Sequence, residues 1–478
     1  MQSVQDYSPA AWRRLSIIRD RLERFLDRRG YAVVATPILE QTDLFLKKSG
    51  GELAARMFSF IDPSGHRVSL RPEFTSSVVR AFIDGTYDAP MPMRCQYCGP
   101  VFRYEGAQER ASSNGSVEAS GSIEFQQLGA EIFGAAGPLA DAEVIALAVQ
   151  GLTALGVKGH KLRIGHMGVV NAMLDGLGLS ERARVFILNS FPALRSGESG
   201  MDDVRARATS LGLLGHERTH RLTELTRRMP PEQAEGMVEG FLAQGVAGLT
   251  GQRTPEEVFQ RYLKKIREVG VPEIVEKALG LSAELVTLSG SASRTRGKLG
   301  ALVKRFGLGE EVLKPLDDVL EALAKYELRG VPVVLDLGMA RGIAYYTGVV
   351  FDIDHARIKN RPDLGGGGRY DGLVKALGGT DDLPALGFAY SLNRVSELLP
   401  ADFGFEEVDG TVRVLVTAPG DGIAQAVATA ERLRARGIPA ELDLQGLSDI
   451  AAAKYARARG IQTVMRIGKD GDLDERAV

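Results

Sequence analysis

Apolar residues recur with helical spacing near the start of the chain. Ser8 stands where a helix N-cap is expected and Pro9 at the first helical position, and both residue types are favoured there. Apolar side chains then return every three or four positions, which predicts a helix over Ala10–Arg29 with one buried face. That face consists of Leu15, Ile18, Leu22, Phe25 and Leu26.

Short strand patterns joined by turns follow this helix. Met57–Ile61 and Val68–Leu70 flank the turn-forming run Asp62–Gly65, a pattern typical of a hairpin. Cys95–Tyr104 and Ile123–Phe133 are predicted to form a second strand pair. Because these strands meet as hairpins and do not alternate with helices, the pattern predicts an antiparallel α+β fold.

The pattern changes twice more along the chain. From 179 to 329 strand patterns fade and helical stretches dominate, as in Pro255–Val269, Val271–Leu279 and Glu310–Tyr326. After residue 411 strands alternate with helices, which predicts a parallel α/β domain. We therefore expect an α+β core in two parts, residues 1–178 and 330–401. A mainly helical insert, residues 179–329, separates these parts, and a C-terminal α/β domain covers residues 411–478.

Composition narrows the class of protein. Of 478 residues, 44% are hydrophobic and 25% charged, and no apolar run reaches the roughly 18 residues of a membrane span. The 59 Lys and Arg against 61 Asp and Glu give a net charge of -2, so a nucleic-acid partner would need local basic patches. Two cysteines and no secretory signal pattern predict a cytoplasmic enzyme or regulator.

Cys95 and Cys98 form a CxxC pattern that His216 and His220 could complete as a zinc site. The cysteines lie in a predicted strand, far in sequence from the histidines, and not at a helix start where a redox pair works. Two free thiols, packed in the interior, are therefore the favoured interpretation.

Charged and glycine-rich segments remain as candidates for chemistry. Gln127 and Glu131 lie four residues apart on a predicted strand and share a face, and the hairpin is expected to bring Arg103 close to Glu131, although a structural ion pair would give the same pattern. The run Gly365–Gly368 lacks the Lys-Ser/Thr of a P-loop. With Arg341 and Arg394, Arg103 supplies three guanidinium groups suited to a triphosphate.

Five segments carry a family resemblance: LRPEFT, GPVFRYE with EFQQLGAEIFG, RGIAYYTGVVFD, GGGGRYDGLVKALGG and PALGFAYSLNRV. In them the chain resembles the histidyl-tRNA synthetase family of class II aminoacyl-tRNA synthetases, which includes the regulatory subunit of ATP phosphoribosyltransferase. The resemblance covers residues 5–165 and 330–400, and the tail resembles the family's anticodon-binding domain. It implies a six- or seven-stranded antiparallel sheet with flanking helices, and a homodimer.

The resemblance also implies site residues. The histidine-binding side chains would be Glu73, Thr75 and Gln127 for the ammonium group, Glu131 and Tyr346 for the imidazole, and Tyr345 beside them.

The ATP-binding residues follow in the same way. Arg341 would contact the histidine carboxylate and the α-phosphate, Arg103 the α-phosphate and Arg394 the γ-phosphate, with Glu105 near the adenosine. Arg341 and Arg103 would be catalytic, Mg²⁺ would accompany ATP, and no protein metal ligands are assigned. The implied reaction is activation of L-histidine and its transfer to tRNA(His).

Departures from the family pattern leave a second interpretation open. The loop between Tyr104 and Glu124 lacks the usual basic cluster, Asn393 stands where a glutamate is expected, and the tail is about one strand and one helix shorter than the family's domain. These features favour a histidine-sensing regulatory subunit, which would bind the catalytic subunit of ATP phosphoribosyltransferase and not tRNA.

Overall fold

The structure is a computed structural model that describes residues 6–47, 51–87, 89–103, 123–214, 272–328, 330–339, 346–358, 363–380, 382–400, 402–404, 413–418, 422–468 and 472–477. Two compact units divide the chain, Met1–Leu399 and Pro400–Val478. Among the described residues, no helix is long and apolar enough to cross a bilayer.

The strands of the first unit are β1 Ala32–Val33, β2 Leu39–Gln41, β3 Ser59–Ile61, β4 Arg67–Leu70, β5 Met93–Phe102, β6 Glu124–Phe133, β7 His160–His166, β8 Ser289–Ser291, β9 Val333–Asp336, β10 Val349–His355, β11 Asp363–Arg369 and β12 Ala385–Ser391.

Its helices are α1 Pro9–Asp27, α2 Thr42–Leu46, α3 Gly51–Ala54, α4 Thr75–Ile83, α5 Pro138–Ala154, α6 Met167–Gly176, α7 Glu181–Asn189, α8 Phe191–Leu194, α9 Glu198–Ser210, α10 Pro272–Leu285, α11 Ala292–Arg305, α12 Lys314–Leu323, α13 Leu373–Leu377 and α14 Leu392–Leu398, with a 3₁₀ turn at Glu310–Leu313.

A nine-stranded sheet forms the centre of this unit, in the order β1-β5-β6-β12-β11-β10-β7-β9-β8. Within this order, each strand from β5 through β6, β12, β11 and β10 to β7 is antiparallel to its neighbours, as predicted. The antiparallel part has six strands, in agreement with the expected six or seven. The sheet reaches nine strands because β1 joins β5 in parallel, β9 joins β7 in parallel, and β8 pairs with β9 at the far edge. A separate three-stranded sheet has the order β2-β4-β3. It contains the predicted hairpin of β3 and β4, and β2 pairs with the other edge of β4.

Local sequence explains where the helices on this sheet begin and what they bury. Ser8 caps α1 by accepting a hydrogen bond from the Ala11 main-chain nitrogen at 3.2 Å, as its position predicted. Helix α5 is apolar on nearly every side, because it packs against strands of the sheet and against both α1 and α12. Its buried residues and the sheet's inner face form a continuous core.

The region between residues 179 and 329 is mainly helical where it is described. Val271–Leu279 and Glu310–Tyr326 correspond to α10 and to the 3₁₀ turn with α12, whereas Pro255–Val269 lies outside the described residues. Strand β8 was not predicted, because its sequence Ser-Gly-Ser has no apolar alternation. Through β8 this region contributes a strand to the central sheet.

The second unit contains β13 Val414–Thr417, α15 Ile423–Ala435, β14 Ala440–Leu442, α16 Asp449–Arg459, β15 Thr463–Ile467 and β16 Leu473–Ala477. The strands β14, β13 and β15 are parallel, as predicted. The polar strand β16 was missed, and it pairs antiparallel with β15 at the edge of the sheet.

Candidate active site

The carboxylate of Glu131 lies in the middle of the large sheet, on β6, with 1% of the residue exposed. It accepts three hydrogen bonds: Thr75 Oγ1 donates to Oε1 at 2.8 Å, the Tyr97 hydroxyl to Oε1 at 3.0 Å, and the Tyr370 hydroxyl to Oε2 at 2.6 Å. An ionised carboxylate has about four acceptor positions, so one remains for a ligand N–H group.

Burial raises the pKa of Glu131 to about 7, although its three hydrogen-bond donors favour the charged form. The nearby Glu73 carboxylate adds to this rise. The charge of Glu131 therefore changes close to neutral pH, where a ligand can influence it.

Glycines on the neighbouring strands make room for this group. Gly387 stands opposite Glu131 on β12, and a Cβ there would lie 1.5 Å from Glu131 Oε2. A Cβ on Gly129 would lie 2.5 Å from the Tyr97 hydroxyl oxygen, and one on Gly368 would lie 2.9 Å from the Tyr346 ring. These positions need glycine because acidic and aromatic side chains occupy the space where a Cβ would be.

The turn between β4 and α4 carries Glu73 and is fastened by Arg71. The Arg71 guanidinium donates to two main-chain oxygens at 2.8 Å each and lies 3.9 Å from the centre of the Phe74 ring. Phe74 in turn stacks on Tyr97, with ring centres 4.4 Å apart. The LRPEFT segment is thus fixed beside the tyrosine that binds Glu131.

Glu73 is a second buried acceptor near Glu131, and Gln127 offers a third, four residues away on the same strand. Glu73 accepts from the Ser76 main-chain nitrogen at 3.1 and 3.2 Å, and burial raises the pKa of its carboxyl group. Gln127 is 9% exposed, and its Oε1 has no hydrogen-bond partner within the described part of the chain. A ligand with several N–H donors would satisfy these acceptors, since an unpaired buried acceptor is costly.

Arg103 lies at the other end of the hairpin from Glu131, so the prediction that the two are close is wrong. The register pairs Glu131 with Cys95, eight residues before Arg103, which corresponds to about 26 Å along a strand. The Arg103 guanidinium lies 4.8 Å from the centre of the Phe125 ring. It is near enough to Glu73 to oppose the rise in the pKa of that group.

Arg394 and its neighbour Asn393 begin α14. Arg394 Nη1 donates to the Asp363 main-chain oxygen at 2.8 Å and lies 3.1 Å from Asp363 Oδ2. Asn393 Oδ1 accepts from the Gln126 main-chain nitrogen at 2.8 Å, and its Nδ2 donates to the Tyr7 hydroxyl at 2.8 Å. The asparagine that departs from the family pattern therefore ties α14 to β6 beside Gln127.

Three predicted site residues, Glu105, Arg341 and Tyr345, lie outside the described residues. Tyr346 is described and packs against the apolar cluster that contains Tyr97 and Tyr370. The structure thus brings together Glu73, Thr75 and Glu131, with Tyr346 against Gly368, and places Gln127 four residues from Glu131 on the same strand.

Sequence analysis missed Tyr97 and Tyr370 as pocket residues. Tyr370 lies in a quoted motif but received no role, because a buried tyrosine in a strand, like Tyr97, or directly after one, like Tyr370, is usually a core residue. In the structure Tyr97 faces Gly129, where a side chain would overlap its hydroxyl, but this pairing depends on a strand register that the sequence pattern does not give.

Arg369 was also missed, and its role is structural. Its Nε donates to Asp141 Oδ1 at 2.8 Å, both side chains are 8% exposed, and its Nη1 donates to Asp371 Oδ1 at 3.0 Å.

Cys95 and Cys98 are free; Cys95 is buried and Cys98 half-buried. Burial raises the pKa of both thiols, to about 12 for Cys98, so neither is a thiolate at neutral pH. His216 and His220 lie outside the described residues. Over the described ranges, no group of three or more His, Cys, Asp or Glu side chains is arranged to hold a metal.

Comparison with known proteins identifies the family and agrees with the fold. A family model for histidyl-tRNA synthetase matches residues 3–196 and 250–395. The chain therefore belongs to the histidyl-tRNA synthetase family, and the resemblance drawn from the five segments is confirmed.

Two relatives align along the whole chain. The histidine–tRNA ligase of Methanocaldococcus jannaschii is 28% identical over 479 residues, which cover 100% of this chain and 93% of that protein. The histidine–tRNA ligase of Pyrococcus furiosus is 30% identical, with the same coverage of both chains.

Solved structures share the fold. One is an ATP phosphoribosyltransferase regulatory subunit/histidyl-tRNA synthetase from Bacillus halodurans, with a TM-score of 0.64, 22% identity, and coverage of 98% of this chain and 97% of the other. Another is the apo histidyl-tRNA synthetase of S. aureus, with a TM-score of 0.60, 21% identity, and coverage of 99% and 96%. The predicted fold class is confirmed.

Proposed function

We propose that this protein is a cytoplasmic histidine–tRNA ligase, which activates L-histidine with ATP and transfers it to tRNA(His). The observation that carries the proposal is the buried Glu131 carboxylate, which accepts three hydrogen bonds from the described residues and has a fourth acceptor position for a ligand. Glu73 lies close to it, and the Gln127 Oε1 on the same strand has no partner in the described part of the chain. The histidine–tRNA ligases that align along the full chain support the proposal.

L-Histidine matches the donors that this pocket requires. Its imidazole N–H would bind Glu131, and its ammonium group would lie between Glu73, Thr75 and Gln127. Tyr345 and Tyr346 would lie along the ring. A side chain without a ring N–H would leave Glu131 unpaired, which gives strong discrimination in a site built for hydrogen bonding.

The arginines would stabilise charge on the phosphates. The histidine carboxylate attacks the α-phosphorus of ATP, pyrophosphate leaves, and negative charge grows on the phosphate oxygens. Arg341 and Arg103 would meet this charge at the α-phosphate, Arg394 would bind the γ-phosphate, and Glu105 would lie near the adenosine. Mg²⁺ would accompany ATP and be held mainly by the phosphate oxygens, as is usual for this ion.

Histidine-dependent exchange of pyrophosphate into ATP tests the activation step. Wild-type protein should catalyse the exchange, and Arg341→Ala should lower its rate by about 10²–10³, because the arginine acts mainly in the transition state. Glu131→Gln should weaken histidine binding by about 2–4 kcal/mol in calorimetry. Histidine binding without exchange in the wild type would favour the regulatory subunit, whose partner would be the phosphoribosyltransferase catalytic subunit.

We further propose that Pro400–Val478 is the anticodon-binding domain. A chain ending at Leu399 retains the whole first unit, so it should keep histidine-dependent exchange and lose tRNA binding. If the truncated protein charges tRNA as well as the full chain does, this unit has another role.

A homodimer is proposed from the apolar surface of the first unit. Val33 on the edge strand β1, Leu39 on β2 and Phe60 and Ile61 on β3 are 62, 49, 46 and 63% exposed. Leu39 and Phe60 project to one face of the three-stranded sheet, since they pair with Leu70 and Val68 of β4, and large apolar groups exposed on one face are typical of a protein interface. Phe60→Lys should convert the dimer to a monomer in analytical ultracentrifugation, and a wild-type monomer would contradict the proposal.

A further inference from the structure

The guanidinium group of Arg394 is held at the first residue of strand β11. Its Nη1 donates to the Asp363 main-chain oxygen at 2.8 Å and lies 3.1 Å from Asp363 Oδ2. Within the described part of the chain, Nη1 makes every hydrogen bond of this arginine. The N–H groups on Nε and Nη2 therefore remain for a ligand, and the side chain is 22% exposed.

Strand pairing fixes the position of Asp363. It stands opposite Asp354 on β10, beyond a shift in the register of the two strands. Burial raises the pKa of Asp354, and the Asp363 carboxylate adds to this rise, because like charges on paired strands repel each other. Arg163 on β7 balances Asp354, with its Nε 3.2 Å from Oδ2. Arg394 balances Asp363 in the same way from the opposite side.

Helix α14 places Arg394 near the end of β6 that Arg103 also approaches. Asn393, the preceding residue, accepts from the Gln126 main-chain nitrogen at 2.8 Å. The neighbouring Phe125 has its ring centre 4.8 Å from the Arg103 guanidinium. The helix thus fixes the main chain of Arg394, but a long arginine side chain still has several rotamers. The contact with Asp363 selects among them.

We propose that Asp363 is a positioning residue for ATP binding, which holds Nη1 of Arg394 and leaves the Nε and Nη2 edge for the γ-phosphate. The planar fork of a guanidinium group matches two phosphate oxygens, and a group that is already oriented loses less freedom on binding. The inference rests on the proposed function, because it takes Arg394 as the ligand of the γ-phosphate. If Asp363 instead competed with the phosphate for Arg394, its removal would strengthen ATP binding.

Binding of ATP and of ADP to the full-length chain tests this role, because only ATP has the γ-phosphate. In calorimetry with Mg²⁺, Asp363→Ala should raise the Kd for ATP about 10-fold and the Kd for ADP less than about twofold. Asp363→Asn keeps an acceptor oxygen and should lie between this variant and the wild type. The control is Asp175→Ala, which breaks another aspartate–arginine pair, with Arg184 Nη1 2.8 Å from Asp175 Oδ1, and should match the wild type.

A double-variant cycle separates positioning from a general structural role. In an Arg394→Ala background, Asp363→Ala should cause no further loss of ATP affinity, because the group that it orients is absent. Equal weakening of ATP and ADP binding, the same loss in both backgrounds, or unchanged or tighter ATP binding in Asp363→Ala would overturn the inference while the proposed function stands. A wild type that binds ATP without pyrophosphate exchange would contradict the proposed function alone, and the comparison of ATP with ADP would still decide the inference. A wild type that does not bind ATP would overturn both.

Discussion

Gly387 and Glu131 face each other on β12 and β6 so closely that a single added carbon would overlap the carboxylate, with a Cβ on Gly387 only 1.5 Å from Oε2. The hydrogen bond from Tyr370 reaches the same oxygen at 2.6 Å. The Glu131 carboxylate is therefore held in one orientation by the Tyr370 hydroxyl on one side and by the main chain of Gly387 on the other.

Gly387→Ala should displace Glu131 and abolish measurable histidine binding in calorimetry, while also lowering the midpoint of thermal unfolding. Gly280→Ala is the matched control, because nothing lies within 4 Å of a Cβ at this position in α10. That change should leave histidine binding intact and stabilise the helix by about 0.5–1 kcal/mol. Normal histidine affinity in Gly387→Ala would show that Glu131 is not the group that binds the ligand.

Histidine affinity should depend on the ionisation of Glu131, whose pKa burial raises to about 7. The ionised form accepts the imidazole N–H, so affinity should rise as pH increases through 7. Tyr370→Phe removes a donor that favours the charged form, and it should move this midpoint to higher pH. Calorimetry of both proteins from pH 6 to 8 tests this, and titration of free histidine cancels in the comparison. Identical midpoints would contradict the assignment.

The buried pair of Arg369 and Asp141 should dominate the stability of the first unit. Asp141→Asn leaves the buried Arg369 charge with Asp371, a half-exposed carboxylate 3.0 Å from its Nη1, so the loss should lie toward the lower end of the about 3–5 kcal/mol that removal of one member of a buried pair costs. Asp318→Asn breaks an exposed pair with Lys314, 2.7 Å long, and should cost at most about 1 kcal/mol. Asp141→Asn should therefore lower the midpoint of thermal unfolding more than Asp318→Asn does. Equal midpoints for the two variants would contradict the greater importance of the buried pair.

His166 should make the protein less stable in mild acid. Its Nδ1 accepts from the Val169 main-chain nitrogen at 3.1 Å at the start of α6, and burial lowers its pKa to about 4. Because the folded-state pKa lies below the unfolded value of about 6.5, stability is complete above that value. It falls by about 1.4 kcal/mol per pH unit between 6.5 and 4. His166→Asn keeps a capping acceptor without this titration, so its unfolding midpoint should fall less than that of the wild type between pH 7 and 5.

Much of this fold could be predicted because apolar patterns report which faces are buried. The β5–β6 hairpin and the shared face of Gln127 and Glu131 follow from a period of two. Arg103 was misplaced because its distance from Glu131 depends on register, which a pattern of buried positions does not give. Polar Ser289–Ser291 and Leu473–Ala477 were missed as strands since main-chain pairing at a sheet edge needs no apolar side chains.

Tyr97 and Tyr370 show the same limit within the site. Buried tyrosine rings are expected in the core, so the sequence alone gives these two residues no other role. Their hydroxyl groups belong to the site because Glu131 is close enough to accept a hydrogen bond from each. Thr75 was predicted as a site residue only through the family resemblance, and Gly387 has no meaning as a site residue until the strands are placed side by side.

The order of strands in the sheet has a consequence for synthesis of the chain. One edge of β6 pairs with β5, but its other edge awaits β12, as in the pair of Leu128 and Tyr390, more than 250 residues apart. At about 5–20 residues per second, the ribosome takes on the order of ten to fifty seconds to supply that partner. For this time the strand that carries Glu131 has an open edge that could pair with other chains. A nascent chain that is halted before residue 385 should therefore bind chaperones, whereas a chain that includes β12 should bind them less.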